Sequence, residues 1–511
     1  MEIVDNKALL LRLKNPHRVT TSIPKSRTVS QHEVLVHWDV PETMALRDLN
    51  IDVPSPIEGR YDWPGKYKPF DHQKKTASFL TMHQKAFCFN EQGTGKTASA
   101  IWAADFLMKR GLVKRALVVC PLSIMDSAWR ADLFSFAMHR TVDIAHGTKA
   151  KRVRVIEGGA EFVIINYDGV NTVEKEIAAG GFDLFIIDEA NHYKNTQTNR
   201  WKCMNRLVGP DTWLWMMTGT PAAQGPMDAY GIAKLVNRAG VPRSAGTFRN
   251  IVMEQKTRYT WVPKENAIEE VHRALQPAIR FTKAECLDLP DMIYTRRHVP
   301  MTKQQEKYYK ELKRDMILKL EHGGVTAVNA AVAMNKLLQI SAGAVYDDAG
   351  DTVEFDISAR YNVLKEVIDE TEHKVLVFVP YRSTITMLME RLQADGFAVD
   401  TIHGGVSAGK RAELIRDFQQ KRDPRVLVIQ PASAAHGVTL TAADTVVWWS
   451  PTASLETFAQ ANARVHRSGQ NNKCTVVQIH SSYVEERLYK LLSDRIDVHT
   501  KIVELYRDLL D

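Results

Sequence analysis

The chain is poor in cysteine. Five occur among 511 residues, Cys88, Cys120, Cys203, Cys286 and Cys474, and no two form a C-x-x-C pair. An odd count without paired spacing argues against a disulfide framework and against zinc, and it fits a reducing cytoplasm. Long apolar runs are missing too. Runs such as Val375–Val379 and Val426–Ile429 fall far short of the roughly 18 residues that suggest a membrane span, so no membrane partner is expected. Met1–Leu13 carries Glu2, Asp5, Lys7 and Arg12 and lacks the apolar stretch of a signal peptide. No repeat or low-complexity segment is visible. Charge is nearly balanced: 67 Lys and Arg against 60 Asp and Glu leave a formal net charge of +7. That permits a polyanion partner without demanding one.

What is present is an ordinary globular composition, 44% hydrophobic and 25% charged, long enough for roughly three or four domains. Short β-branched or aromatic runs alternate with longer helical patterns. The first half offers Ala86–Asn90, Ala116–Cys120, Phe162–Asn166, Leu184–Ile187 and Trp213–Thr218. The second offers Val375–Val379, Val399–Ile402, Val426–Ile429, Thr445–Trp449 and Thr475–Ile479. Runs such as "FVIIN" and "LVVC" are apolar throughout, the pattern of strands buried on both faces of a parallel sheet. The repeated βαβαβ order predicts an α/β fold with two doubly wound parallel-sheet domains, residues 61–290 and 291–511.

Stretches of helical pattern with little strand, about 222–277 and 303–338, read as helical insertions, the second broken at Gly323-Gly324. Eight Lys or Arg against four Glu between Arg243 and Lys283 suit either a solvated helical surface or nucleic-acid contact. Residues 1–60 form a small accessory unit with strands at Leu9–Leu13 and Val34–Trp38. Prolines at 41, 54, 56 and 64 mark a linker-like approach to the first α/β domain. Near the C-terminus Leu488, Leu491, Leu492, Ile496 and Leu505 recur at roughly helical spacing, as in a packed helix.

Three segments carry chemistry. Ala86–Phe89 runs into Asn90-Glu-Gln-Gly-Thr-Gly-Lys-Thr97 and then into a helical pattern, the strand–loop–helix context of a phosphate loop. Gly93 and Gly95 let the backbone approach oxygen atoms, and the helix N-terminus offers free N–H groups to an anion. Lys96 can neutralise β- and γ-phosphates and the Thr97 hydroxyl can bind Mg²⁺. The full pattern has Gly at position 90, where this chain has Asn. The second segment is "FDLFIIDEANHYKN". Asp188 ends a buried strand, where ligands bind in parallel sheets, and is placed to hold the magnesium shell. Glu189 is placed to orient or deprotonate an attacking water. The third is Gln460–Gln470. Read as a helix, it puts Gln460, Arg464 and Arg467 on one face, where two arginines suit a γ-phosphate.

Together these segments resemble helicase superfamily II, and within it the Swi/Snf-type DNA translocases. The resemblance covers about Tyr67–Asp494. "PFDHQ" is similar to the adenine-reading Gln motif, and "NEQGTGKT" to the family's phosphate loop, usually written with Asp first. "VVCPLSIMDSAW" resembles motif Ia, "IINYDGV" motif Ib, and "DEANHYKN" the family's Asp-Glu-x-His with its trailing Lys-Asn. "MTGTPAAQGPMDAYGIAKLV" resembles motif III, and "IRFTKAECLDLP" with "MTKQQEKYYKEL" the junction between the family's lobes. "IHGGVSAGKRAELIRDF", "ASAAHGVTLTAA" and "QANARVHRSGQ" follow as motifs IV, V and VI. His-Arg-x-Gly-Gln in the last separates this family from DEAD-box RNA helicases. Asn191 stands where the family usually has His, and Ala463 where it often has Gly. The short insertions look more like helicases encoded by bacteriophages, or the fork-remodelling branch, than like nucleosome remodellers.

The resemblance implies two tandem RecA-like lobes that hydrolyse ATP with Mg²⁺ to move along DNA. Gln73 would read adenine. Gln92, Gly93, Thr94, Gly95, Lys96, Thr97 and Gln460 would bind nucleotide, with Thr97 and Asp188 at the metal. Lys96, Asp188, Glu189, Arg464 and Arg467 would carry catalysis. Ser123, Asn166 and Tyr167 in the first lobe, and His403, Gly404 and Ser433 in the second, would contact DNA. Single-stranded, duplex or branched DNA is the expected partner, with replication or recombination proteins as further candidates. The expected location is the cytoplasm, the host's if the chain is phage-encoded. The competing readings are an RNA helicase, a binding module with a degenerate ATPase fold, and the motor subunit of a restriction or defence system.

Overall fold

The computed structural model describes residues 1–222, 225–256, 261–286, 290–321, 327–346, 352–434, 438–467 and 469–494. Gly323-Gly324, Ile496, Leu505 and residues 435–437 of the motif V stretch lie outside them. One compact unit comprises Met1–Ala222 and Pro226–Cys286, and the other takes up the chain beyond Cys286.

The first unit opens with an antiparallel sheet of β1 (Glu2–Val4), β2 (Ala8–Arg12), β3 (Ser26–Ser30) and β4 (Glu33–His37), in the order β1-β2-β4-β3. Alternation along β2 and β4 buries Leu9, Leu11, Val34 and Val36 on one face, as expected for a sheet with one solvated side. The proline-rich run after it is not a free tether. Val40, Ile57 and Tyr61 are buried in the core of the following parallel sheet. The Tyr61 hydroxyl donates to Asp105 at 2.6 Å, and Arg110 pairs with Asp39 at 2.9 Å. Asp105 is fully buried, yet hydrogen bonds from Tyr61, Arg140 and His139 outweigh burial and hold its carboxyl below the usual range.

That parallel sheet contains β5 (Lys85–Cys88), β6 (Ala116–Cys120), β7 (Val142–Ala145), β8 (Phe162–Asn166), β9 (Leu184–Asp188), β10 (Trp213–Met217) and, after a small hairpin of β11 (Met253–Gln255) and β12 (Trp261–Pro263), β13 (Ala278–Ile279). Its order is β13-β5-β10-β9-β6-β8-β7. Alternate residues enter two separate cores: Phe87, Leu117, Val119, Phe185 and Leu214 on one face, Ala86, Val118, Ile164, Ile186 and Trp215 on the other. Strands that are apolar at every position demand cover on both sides, and helices supply it. The helices Asp228–Val236 and Ala245–Val252, read from sequence as an insertion, are part of that cover, since Tyr230, Ile232 and Phe248 lie in the first core.

The second unit repeats the plan. β14 (Met292–His298), a hairpin of β15 (Ala344–Tyr346) and β16 (Thr352–Glu354), then β17 (Lys374–Phe378), β18 (Val399–Ile402), β19 (Val426–Ile429), β20 (Ala443–Trp448) and β21 (Cys474–His480) follow in turn. The parallel sheet runs β14-β21-β20-β17-β19-β18. Its faces again feed two cores, Leu376, Phe378 and Trp448 against Val375, Val377 and Val447. The helix Tyr483–Ser493 docks through Leu488, Leu491 and Leu492 and is pinned by a buried pair, Arg360 to Glu485 at 2.8 Å. In the two parallel sheets the sequence reading missed β7, β13 and β14, and outside them it missed β1, β3, β11, β12, β15 and β16. None of the five cysteines forms a disulfide, and only Cys286 is not buried.

Candidate functional site

In the first unit β5, β10 and β9 lie side by side and parallel, so the loops after them meet at one edge of the sheet. The phosphate loop follows β5. Gly93 and Gly95 have φ of 86° and 82°, the left-handed region where a side chain is strained. A Cβ on Gly95 would collide with the Gln73 amide. The helix Lys96–Lys109 starts directly after. The Lys96 ammonium donates to the Asn90 and Glu91 carbonyls at 2.8 and 3.4 Å. Thr97 is half-buried. The Gln92 Nε2 atom is buried with no hydrogen-bond partner.

The departure at Asn90 has a structural reason. Its side chain is 1% exposed. Nδ2 donates to Thr76 at 2.8 Å, and Oδ1 accepts the Phe281 amide at 3.0 Å. Glycine could make neither bond. Edge pairing continues the tie, since Phe89 N donates to Ile279 O at 2.8 Å and Glu91 N to Phe281 O at 2.9 Å. Gln73 braces the loop from the other side: its amide donates to Thr94 O at 3.2 Å while its Oε1 accepts the Phe70 amide at 3.0 Å. His72 also reaches Thr94 O, at 2.8 Å.

Asp188 closes β9 and is 8% exposed. Its Oδ2 accepts the Trp129 indole N–H at 2.9 Å, its Oδ1 the Glu189 amide at 3.0 Å, and its carbonyl the Tyr167 hydroxyl at 2.7 Å. Glu189 has φ of 50°, a conformation costing a non-glycine residue roughly 1–3 kcal/mol and held only where neighbours over-determine it. Asn191 donates to the Thr220 hydroxyl at 3.1 Å. Thr218 N donates to Cys88 O at 3.1 Å. The turn after β10 thus ties the loop after β9 to the end of β5. Burial pushes the Cys88 thiol up to about 11, partly offset by Lys96.

Candidate DNA residues in this unit differ in access. Ser123 is exposed. Asn166 is half-buried and takes an Arg152 N–H at 2.9 Å. Tyr167 is 6% exposed, packed on His192 and Tyr193 with Arg200 over its ring, so its side chain is an internal strut. In the second unit, His403, Gly404 and Ser433 follow β18 and β19 at the sheet's carboxyl edge. Gln430 joins these ends, accepting the Gly404 amide at 3.3 Å and donating to Pro380 O at 3.2 Å. Gly404 is exposed, and His403 and Ser433 half-buried.

The arginine segment needs correcting. The helix is Leu455–Asn462, capped by Ser454, and it carries Gln460. Arg464 and Arg467 lie beyond it in a turn, so they share no helix face. Tertiary anchors end the helix there: Trp448 donates to Asn462 at 3.0 Å, Val465 is buried, and Gln470 donates to Ala443 O at 2.8 Å. Gln460 is buried, its amide on Glu456 at 3.2 Å. Arg464 is 7% exposed, and Arg467 donates to Val438 O at 3.2 Å. His466 meets Pro290 O at 2.8 Å.

The residues fit a nucleotide with its metal. Two left-handed glycines, a helix start and an unpartnered buried amide donor on Gln92 form an anion cradle. Among the described residues no group of three or more His, Cys, Asp or Glu could hold a metal ion. A hydroxyl and one carboxylate, completed by phosphate oxygens, are an ordinary Mg²⁺ donor set. Among the described residues no helix is long and apolar enough to cross a membrane.

Comparison with known proteins follows the same outline. The SNF2-related domain matches residues 72–343, and the helicase conserved C-terminal domain matches 359–469. An uncharacterized ATP-dependent helicase of Mycoplasma genitalium is 24% identical over 423 residues, 81% of this chain and 40% of that protein. Putative protein p41 of Acyrthosiphon pisum secondary endosymbiont phage 1 is 22% identical over 464 residues, 86% of this chain and 98% of that protein. Among solved structures, the Sulfolobus solfataricus SWI2/SNF2 ATPase core in complex with dsDNA is 22% identical. It covers 84% of this chain and 92% of that one, with a TM-score of 0.42. The chain spans less than half the length of the first curated relatives it matches.

Proposed function

Because the chain belongs to the SNF2-related family, which matches more than half of it, we propose that it is an ATP-driven motor that tracks the backbone of DNA. The observation that carries this reading is the meeting of Lys96, Asp188 and Glu189 at one edge of the first sheet, bridged by the turn at Thr218–Thr220. In the proposed cycle Lys96 exchanges its loop carbonyls for β- and γ-phosphate oxygens. The loop amides of Gly93, Thr94 and Gly95, with the Gln92 side chain, hold the phosphates, and Gln73 borders the base. Thr97 and Asp188 would hold Mg²⁺. The ion would neutralise charge developing on the phosphates. Glu189 takes the proton of the attacking water. Gln460 would bind the nucleotide, and Arg464 and Arg467 would stabilise the developing phosphoryl charge.

The lobes would be residues 61–290 and 291–511, with 1–60 as an accessory unit. Ser123, Asn166, His403, Gly404 and Ser433 would grip phosphates, which position the protein without reading sequence. The test is ATP turnover with single-stranded, duplex, forked and junction DNA, and with RNA, in the wild type and in Arg467→Ala. DNA should stimulate the wild type, and affinity should fall log-linearly with salt. Arg467→Ala should lose the stimulation, by roughly 10³–10⁵ if the arginine acts as in other phosphoryl-transfer systems. Full stimulation in Arg467→Ala, or stimulation by RNA alone, would refute the proposal.

A further inference from the structure

Two side chains from outside the nucleotide loops grip Asp188. Trp129 comes from a π-helical turn, Met125–Arg130, that follows the loop bearing exposed Ser123. Tyr167 opens the helix Tyr167–Thr172, directly after Asn166. Trp129 is wholly buried, and its single polar atom is spent on Asp188 Oδ2 at 2.9 Å. Tyr167 is nearly so, and its hydroxyl is spent on Asp188 O at 2.7 Å. A buried indole or phenol finds a partner as a rule, but here both find the same residue. π-helical turns are rare and are frequently found at functional sites. This one turns Trp129 inward while Ser123, Asp126 and Ser127 stay exposed.

We infer that Trp129 and Tyr167 are positioning residues that couple the two backbone-facing loops of the first unit to the Asp188 carboxylate and to the strained Glu189 beside it. Resting on the motor reading, the inference adds a route within one unit by which DNA alters hydrolysis. Trp129 fixes one carboxylate oxygen and Tyr167 fixes the peptide. Together they hold Glu189 in its left-handed conformation. A phosphate seated at Ser123 or Asn166 shifts the turn or the helix start, and each shift reaches Asp188 through one hydrogen bond.

The experiment compares Trp129→Phe and Tyr167→Phe, which keep a ring and remove the donor, with the wild type. DNA affinity by anisotropy, thermal midpoint, turnover with and without duplex DNA, and the Mg²⁺-dependent gain in affinity for a fluorescent ATP analogue are read for each. Both variants should bind DNA as the wild type does. DNA-stimulated kcat should fall at least about tenfold in Trp129→Phe, the weight of one hydrogen bond to a charged group, and roughly fivefold in Tyr167→Phe, whose bond goes to a neutral carbonyl. Basal turnover should fall less, and the Mg²⁺-dependent gain in nucleotide affinity should shrink. The double variant should lose less than the product of the single losses, because both bonds serve one residue. If Trp129→Phe unfolds, Tyr167→Phe decides alone. A stimulated wild type with variants that match it in stimulation and in Mg²⁺ response overturns the coupling and leaves the motor reading standing. A wild type that hydrolyses ATP without responding to DNA overturns both.

Discussion

Asn90→Gly restores the glycine of the general phosphate-loop pattern, and on this structure it should harm the protein. The substitution removes both bonds of a buried carboxamide. Phe281 N loses its acceptor at 3.0 Å, and Thr76 loses the donor at 2.8 Å. An orphaned buried amide costs about 1–3 kcal/mol and a lost neutral hydrogen bond about 1 kcal/mol, together roughly 2–4 kcal/mol. Asn90→Asp is the control. It keeps an oxygen for Phe281 N, and the Thr76 hydroxyl can turn to donate to it. That turn sacrifices the bond from Thr76 to His72 O at 2.7 Å, while charge-assisted bonds from Phe281 N and Thr76 offset the cost of burying the carboxylate, so the Phe281 amide keeps its acceptor. Amide hydrogen exchange over residues 278–284, with the thermal midpoint beside it, reads the difference. At about 1.4 kcal/mol per factor of ten, protection at Phe281 should fall by roughly 30- to 1,000-fold in Asn90→Gly, and by no more than about tenfold in Asn90→Asp. ATP affinity should fall in the same order, because the edge pairing that holds the start of the loop ends on this anchor. Unchanged protection in Asn90→Gly, or equal losses in the two variants, would refute the argument.

Lys96→Ala should lose nucleotide affinity, whereas Glu189→Gln should bind ATP normally and turn over on the order of 10²–10⁴ more slowly; near-normal turnover in the second removes Glu189 from the mechanism. Arg467→Lys should recover little of what Arg467→Ala loses, because an ammonium lacks the planar fork, and substantial rescue would show that charge alone suffices. Stability should fall with acid. Burial holds His83 and His192 below the ordinary histidine value, so the unfolded chain takes up protons first. Their contribution is intact above about pH 6.5 and is lost as pH falls through their depressed folded values. His83→Gln should flatten the decline of the melting midpoint between pH 7 and 5, and an unaltered slope counts against this origin.

Legibility in the sequence followed locality. The phosphate loop, the Asp-Glu pair and the strands that supply both cores could be read directly, because a left-handed glycine and an apolar run carry their meaning within a few residues. β7, β13 and β14 could not. β7 and β14 are edge strands with exposed positions, so neither shows an apolar run, and β13 has two residues. The segment 222–277 looked like an insertion because helical periodicity does not reveal which sheet a helix covers. Trp129 carried a usable signal, since a tryptophan inside an apolar motif needs a partner for its N–H, but nothing local named Asp188.

By itself the sequence determined the α/β class, the parallel sheets and the family, and it offered the candidate residues of a nucleotide site, because each depends on patterning or on chemistry contiguous in the chain. Tertiary structure alone decided the rest. It ended the helix at Asn462 and set Arg464 and Arg467 in a turn, since Trp448, the buried Val465 and Gln470 on Ala443 O outweigh the 3.6-residue rhythm. It turned Tyr167 inward onto Asp188 and made Asn90 a bridge to Phe281, 191 residues away. The common reason is that a buried polar group must find its partner wherever the fold brings one, and distance along the chain places no limit on where that partner lies.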